Sequence, residues 1–444
     1  MTLSPSLTKL VQRACEQNRP VAEGRVRALR GVAIEVSGLR AVIGDLCTVH
    51  GTRATVLAEV VGFEQDIAVL MPLGDLVGIG PLDAVTSYGR PLMVPTGADL
   101  LGRVVDSLGR PLDGKLEIRG EERPVTCDAP PALLRTPIRT PIVTGVSTID
   151  GFLTCGKGQR VGIFAGSGVG KSTLLGSIAR GSSADVNVIA LIGERGREVL
   201  DFVHDSLGDA GMKKSVVVVA TSDAPAMQRM KGAFTAVAIA EAFRAKGKDV
   251  LFMMDSVTRF AGALREIGLA AGEPPTLRGY PPSLFAQLPR LVERLGSDGK
   301  GTITGLLTVL VDGDDMNEPV ADAVRGYLDG HFVLSRAIAQ RGRYPAIDVL
   351  QSVSRLMDKV AQPRHKADAQ AVRELLALYE DSKDLIQVGA YKKGADKKLD
   401  RAVQQMGRIE ELLRQGPEAR PFELTLAKLA EIASDSNRDL QSAD

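Results

Sequence analysis

The sequence lacks tryptophan, and aromatic residues make up only 4% of its 444 residues. Platforms on which bases could stack are therefore scarce. It also lacks an excess of either charge: 55 basic residues face 54 acidic ones, a net of +1. Without a basic field, a protein built to grip nucleic acid is not expected. Cysteine is sparse. Cys15, Cys47, Cys127 and Cys155 form no CxxC pair, which excludes a zinc ribbon and a thioredoxin-type redox site and leaves ordinary thiols of a reducing compartment. His50, His204, His331 and His365 are equally scattered, with no HExxH-like pair, and no resident metal is assigned to them. No apolar run approaches the roughly 20 residues that cross a bilayer. The opening MTLSPSLTKLVQRACEQNRP has no continuous apolar stretch and is not read as a signal peptide. A cytoplasmic protein is the expectation.

What is present is ordinary for a packed globular chain: 44% hydrophobic and 25% charged residues. The length suggests two to four domains. Residues 1–20 read as a short helix with Ser4 as cap, Pro5 in its first turn and Leu7, Leu10, Val11 and Ala14 on one face, flanked by Lys9 and Arg13. Such a stripe suits either packing on the protein's own barrel or docking of a partner. Residues 21–92 alternate short β-rich runs with Gly and Asp turns, as a small barrel or sandwich does. Residues 91–145 are rich in Pro and Gly and read as a connector.

Residues 93–357 carry the α/β pattern. Val161–Phe164, Val186–Ile192, Ser215–Ala220, Val250–Met254 and Thr302–Val311 are near-continuous apolar runs separated by helical stretches, which predicts a mostly parallel sheet covered on both faces. Residues 358–444 turn helical and charged. The basic run KKGADKKLDR there reads as a solvated helix start.

The chemistry lies in the α/β region. AGSGVGKST, Ala165–Thr173, sits between a strand and a helix, the context of a phosphate-binding P-loop. Gly166, Ser167, Gly168, Val169 and Gly170 wrap the backbone so that its N–H groups point inward, and the helix N-terminus adds partial positive charge. Lys171 is placed to reach the β- and γ-phosphates. Ser172, next to Thr173, is placed to ligate Mg²⁺. Ala165 stands where the P-loop pattern begins with glycine. Asp255 ends the apolar strand VLFMMD and suits the water shell of that ion. Glu194, in GERGRE after the strand VNVIALI, is the candidate to orient an attacking water. The local sequence alone leaves Glu194 open to a salt-bridge cluster with Arg195 and Arg197, Arg355 to an intrasubunit ion pair and Tyr344 to core packing.

The segments AGSGVGKST, LIGERGREV, MMDSVTRFA, GEPPTLRGYPPSLFAQLPRLVER, LDGHFVLSR and RYPAIDVLQSVSR resemble the catalytic subunits of rotary and protein-export ATPases, as do LLGRVVDSLGRPLDG and the β-rich N-terminal region. Within that group the blocks GFLTCGKGQRVGIFAGSGVGKSTLLG, DGDDMNEPVADAVRGYLDGHFVLSRAIA and VGAYKKGADKKLD are most similar to the flagellar export branch. The virulence type III secretion branch is next.

The resemblance implies a RecA-like P-loop core with an N-terminal β-barrel and a C-terminal helical domain, assembled as a homohexamer that hydrolyses Mg-ATP between subunits. It implies roles by position. Lys171 and Ser172 serve phosphate and magnesium, Glu194 is the catalytic carboxylate and Arg195 its γ-phosphate-side neighbour. Asp255 serves the magnesium shell, Arg259 lies near the γ-phosphate, Tyr344 packs on adenine and Arg355 is supplied by a neighbouring subunit. The loop Asp314–Pro319 would face a central stalk. A regulatory stator protein at the N-terminal helix, an export gate, chaperones and export substrates are the further implied partners, at the inner face of the bacterial cell membrane. A catalytically silent ring member, an ATP synthase subunit and a hexameric RNA translocase are the remaining alternatives.

Overall fold

The computed structural model describes residues 22–311, 315–316 and 318–441. The proposed N-terminal helix and part of the Asp314–Pro319 loop lie outside them. The chain divides into two compact units.

The first unit holds a closed six-stranded barrel of β1 (Ala22–Arg30), β2 (Ala33–Ser37), β3 (Leu46–His50), β4 (Thr55–Glu64), β5 (Ile67–Pro72) and β6 (Ala84–Ser87), in the order β1-β2-β5-β4-β3-β6. Alternation builds it. Ile34 and Val36, Cys47 and Val49, Val56, Ala58 and Val60, and Ala68 and Leu70 all point into one core. The small barrel expected from the sequence is therefore present.

The second unit is built on a nine-stranded sheet. Eight strands run along it: β7 (Arg103–Asp106), β8 (Arg160–Ala165), β9 (Val186–Glu194), β10 (Ser215–Thr221), β11 (Asp249–Asp255), β12 (Thr302–Leu310), β13 (Gly330–Leu334) and β14 (Ile347–Ser354). Their order is β14-β13-β8-β12-β11-β9-β10-β7. All pair in parallel except β14, which runs antiparallel to β13. Gly296–Ser297 adds a short antiparallel partner to β12. All five expected strands are there. β7, β13 and β14 were not among them.

Both faces of this sheet are buried. Val161 and Ile163 of β8 and Ile189 and Leu191 of β9 join one core, while Phe164, Val188, Ala190 and Ile192 join the other. That two-sided burial is why the strands read as continuous apolar runs rather than as alternation. The first core also takes in the C-terminal helices α4 (Pro363–Asp381), α5 (Lys397–Leu413) and α6 (Phe422–Gln441), through residues such as Leu375, Met406, Ile409 and Leu429, packed by α1 (Ser147–Phe152). The basic run does open a helix. Asp396 accepts from the N–H groups of Lys398 (2.8 Å) and Leu399 (3.2 Å), and Lys397 and Lys398 are exposed.

Helix α2 (Lys171–Gly181) follows β8, and α3 (Gly196–Asp201) follows β9 and runs into a π-helical turn over Phe202–Leu207. α2 packs on that turn so closely that a Cβ on Gly176 would stand 2.5 Å from the Ser206 carbonyl oxygen. Helix propensity alone favours alanine there by about 1 kcal/mol. The obstacle is backbone, which cannot swing aside, and overpacking costs about 1–3 kcal/mol. Gly176→Ala should therefore lose net stability, by about 1–2 kcal/mol in urea unfolding. A gain in midpoint would show this seam to be slack.

Candidate active site

The P-loop leaves β8 and enters α2 at the carboxyl end of the sheet, between strands whose ends face the same way. Ala165, the departure from the P-loop pattern, is the last residue of β8 and is buried in the core, so its methyl is accommodated by packing. Gly168 and Gly170 take φ of +78° and +87°, a left-handed backbone that glycine adopts without cost. Nothing lies within 4 Å of where a Cβ on Gly168 would stand. That loop, with Lys171, Ser172, Thr173, Gly193, Glu194, Arg195 and Arg259, lines a cavity of about 670 Å³.

Lys171 Nζ donates a short hydrogen bond to Asp255 Oδ1 and stands 3.9 Å from Glu194 Oε1. Asp255, at the end of β11, is 4% exposed and also accepts from Thr308 Oγ1 at 2.8 Å. Glu194 Oε1 is buried and accepts no hydrogen bond among the described residues. Burial, followed by the nearby charge of Asp255, pushes the Glu194 carboxyl up to about 7, against the pull of Lys171. The turn that aims it depends on Gly193, which has φ +73° and whose Cβ would lie 2.7 Å from Arg259 Cβ. Arg195 is exposed and bonds Glu198 at 3.3 Å, while Arg197 bonds Asp201 at 2.8 Å. The salt-bridge cluster that the sequence allowed is thus present for the arginines, and Glu194 adjoins it through Glu198, the partner of Arg195.

Hydroxyl and carboxylate oxygens at this cavity make a hard donor set. A lone carboxylate with a hydroxyl is how Mg²⁺ is held when substrate phosphates complete its shell. Among the described residues no cluster of three or more His, Cys, Asp or Glu side chains could hold a metal by itself.

Tyr344 is 44% exposed, and its ring is 3.2 Å from where a Cβ on Gly170 would stand. With Val146, Thr173, Pro345 and the turn Gln415–Pro417 it lines a second cleft, of about 410 Å³, that shares Gly168 and Gly170 with the first. The turn was missed in the sequence. Its only signal is the RQGP breaker after an amphipathic helix.

Arg355 does not join these residues. It is exposed and follows β14, and its N–H donates to Asp329 O at 3.0 Å. Asp329 Oδ2 accepts from Arg160 N at 3.0 Å, at the entry of β8. Arg355 thus lies at the opposite end of β8 from the P-loop, about 17 Å away along five residue steps. The free thiols of Cys47 and Cys155 are buried, and burial pushes both upward.

Three family models match the chain. The ATP synthase alpha/beta family nucleotide-binding domain covers residues 145–354. The beta-barrel domain of the same family covers 27–89. The T3SS EscN ATPase C-terminal domain covers 361–431. The flagellum-specific ATP synthase of Bacillus subtilis (strain 168) is 53% identical over 397 residues, 88% of this chain and 91% of that one. The type 3 secretion system ATPase of Xanthomonas euvesicatoria is 48% identical over 417 residues, 93% of this chain and 94% of its own length. Among solved structures, the assembled ATPase EscN from the enteropathogenic E. coli type III secretion system matches with a TM-score of 0.88 at 43% identity, over 92% of this chain and 100% of that one. EscN in complex with its central stalk EscO matches with a TM-score of 0.86 at 42% identity, with the same coverage of both chains.

Proposed function

Because the chain belongs to the ATP synthase alpha/beta family, among its flagellum-specific and type III secretion ATPases, we propose that it is the motor of a flagellar protein export apparatus and works as a homohexameric ring. The chain is an ATP-hydrolysing P-loop enzyme. The observation that carries the assignment of roles is the buried Glu194 Oε1, which accepts no hydrogen bond among the described residues and stands 3.9 Å from Lys171 Nζ, beside the Lys171–Asp255 pair.

Mg²⁺, when bound, would supply positive charge against the charge that develops on the transferred phosphate. Ser172 and Asp255 would hold it, Asp255 partly through water. Lys171 would turn from the carboxylates to the β- and γ-phosphates. Glu194 would polarise the attacking water, with Arg195 and Arg259 on the γ-phosphate side. The Tyr344 ring would pack on adenine, with the turn Gln415–Pro417 closing that cleft. Arg355 would complete the site of a neighbouring subunit, since it sits at the far end of the sheet from its own P-loop.

The Asp314–Pro319 loop would face a central stalk. Residues 1–18 would dock a regulatory stator protein through Leu7, Leu10, Val11 and Ala14. The export gate, chaperones and export substrates are the remaining partners, at the cytoplasmic face of the membrane. Among the described residues no helix is long and apolar enough to cross that membrane. A virulence secretion ATPase is the second reading, favoured by the fit to assembled EscN.

Two measurements test this reading. Specific ATPase activity should rise more steeply than linearly with protein concentration as the mass shifts toward a hexamer; constant activity at monomeric mass would refute the ring. A gene deletion should remove flagellar filaments and leave virulence secretion intact. Loss of the second alone would favour the virulence reading.

Deleting residues 1–18 should abolish stator binding and leave basal ATPase and thermal midpoint near those of the full chain. A large fall in midpoint, with binding kept by the folded fraction, would place the segment on the protein's own core instead.

A further inference from the structure

We propose that Gln415 is a positioning residue for base recognition, holding Tyr344 and the turn Gln415–Pro417 against the start of α1. The inference rests on the reading of the second cleft as the base site.

The side-chain amide of Gln415 uses all of its hydrogen-bonding capacity. Its Oε1 accepts from Ser147 N at 2.8 Å and, at 3.0 Å, shares the single Ser147 Oγ proton with Leu412 O, which lies nearer at 2.8 Å. Its Nε2 donates to Gly145 O and to Glu418 O, both at 2.7 Å. An amide offers two donors and an acceptor with two lone pairs, so none is left over for a ligand. The backbone N–H of the same residue donates to Tyr344 O at 2.8 Å.

One residue therefore ties together three stretches of chain, around Gly145, Tyr344 and Glu418, that the sequence keeps far apart. Val146, Tyr344 and the turn Gln415–Pro417 are walls of one cleft. Arg420 N donates to Gly145 O at 2.9 Å and Arg180 Nη2 to Pro417 O at 2.8 Å, so the seam continues on both sides of the amide.

Position matters here because stacking is a matter of distance and angle. A Tyr344 ring that is 44% exposed has little packing of its own to fix it. Its backbone must be held instead, and Gln415 holds it. The hydrogen bonds of Gln415 go to Ser147, Gly145, Glu418 and Tyr344 and to none of the P-loop residues, so its influence falls on the base end of the nucleotide.

The test uses the full chain with Mg²⁺ and two probes, ATP and inorganic tripolyphosphate, on wild type, Gln415→Ala and Gln415→Glu. The ratio of the two affinities isolates the contribution of the nucleoside. Both variants should lose roughly tenfold of that ratio, equivalent to about 1.4 kcal/mol. Tripolyphosphate affinity should stay within two-fold and serves as the control for folding. The loss should appear in KM for ATP rather than in kcat. Gln415→Glu is the near-isosteric partner: it keeps the edge that accepts from Ser147 and sets a second carboxylate oxygen against the carbonyls of Gly145 and Glu418. An unchanged ratio in both variants overturns the proposal, and so does a parallel fall in both affinities, which would make Gln415 a general structural residue. A wild type that does not distinguish ATP from tripolyphosphate would overturn the reading of the cleft itself, and the proposal with it.

Discussion

Glu194→Gln should lower ATP turnover by about two to four orders of magnitude while nucleotide affinity stays within a few-fold. The amide keeps the size and position of the side chain and removes the charge that polarises water. It also resembles the protonated carboxyl, the form that burial and Asp255 favour by pushing Glu194 up to about 7. Glu194 Oε1 accepts no hydrogen bond among the described residues, so what the substitution gives up there is the 3.9 Å ion pair with Lys171. Lys171→Ala should behave differently. It removes the ammonium that bonds Asp255 and faces Glu194, leaving two buried carboxylates without their cation and the phosphates without theirs. Nucleotide binding should fall along with turnover. Titration of a fluorescent ATP analogue, read beside steady-state rates, separates the two patterns. Equal loss of binding in both variants would make Glu194 a structural residue.

The contrast between those residues mirrors what the sequence could reveal. Lys171 and Ser172 lie within nine consecutive residues whose glycine spacing is dictated by backbone approach to phosphate, so local order carried the whole signal. Asp255 was readable because a strand-end carboxylate, a weak signal alone, follows a P-loop in the sequence, and the fold sets it on Lys171. The barrel was readable because its short β-rich runs are separated by Gly and Asp turns at regular intervals. β7 was hidden because Arg103–Asp106 is short and lies in a Pro- and Gly-rich stretch. β14 was hidden because Ile347–Ser354 is an antiparallel edge strand whose burial comes and goes along its length, unlike the covered runs in the middle. The cleft beside Tyr344 was the least legible part. Its walls come from residues near 146, 344 and 416, and neither RYP nor RQGP says what it will face. Only the fold brings them together, and only hydrogen-bond accounting at Gln415 shows why they stay there.

Arg355→Ala should reduce turnover by about 10³-fold or more, the scale on which an arginine presented to a phosphoryl-transfer site acts. Nucleotide affinity should remain within a few-fold, because Arg355 lies away from the P-loop of its own chain. The geometry makes a self-supplied arginine unworkable. β13 runs parallel to β8 and pairs Gly162 with His331, and β14 returns antiparallel so that Ser354 pairs with Gly330. Arg355 is thereby delivered to the entry of β8, while the P-loop leaves from its exit. A strand about 17 Å long, buried on both faces, separates the two, and no side chain spans that distance. A charge at that end can serve catalysis only if a second copy presents its P-loop to it, so activity becomes a property of the interface. Mixing is the decisive experiment. Arg355→Ala rings lack every arginine and Glu194→Gln rings lack every carboxylate, so each should be inactive alone. In a mixed ring some interfaces pair an intact Glu194 with an intact Arg355, and activity should return in proportion to their frequency. Mixed rings demonstrated by mass, yet without any recovery of turnover, would mean that Arg355 does not act across a subunit boundary.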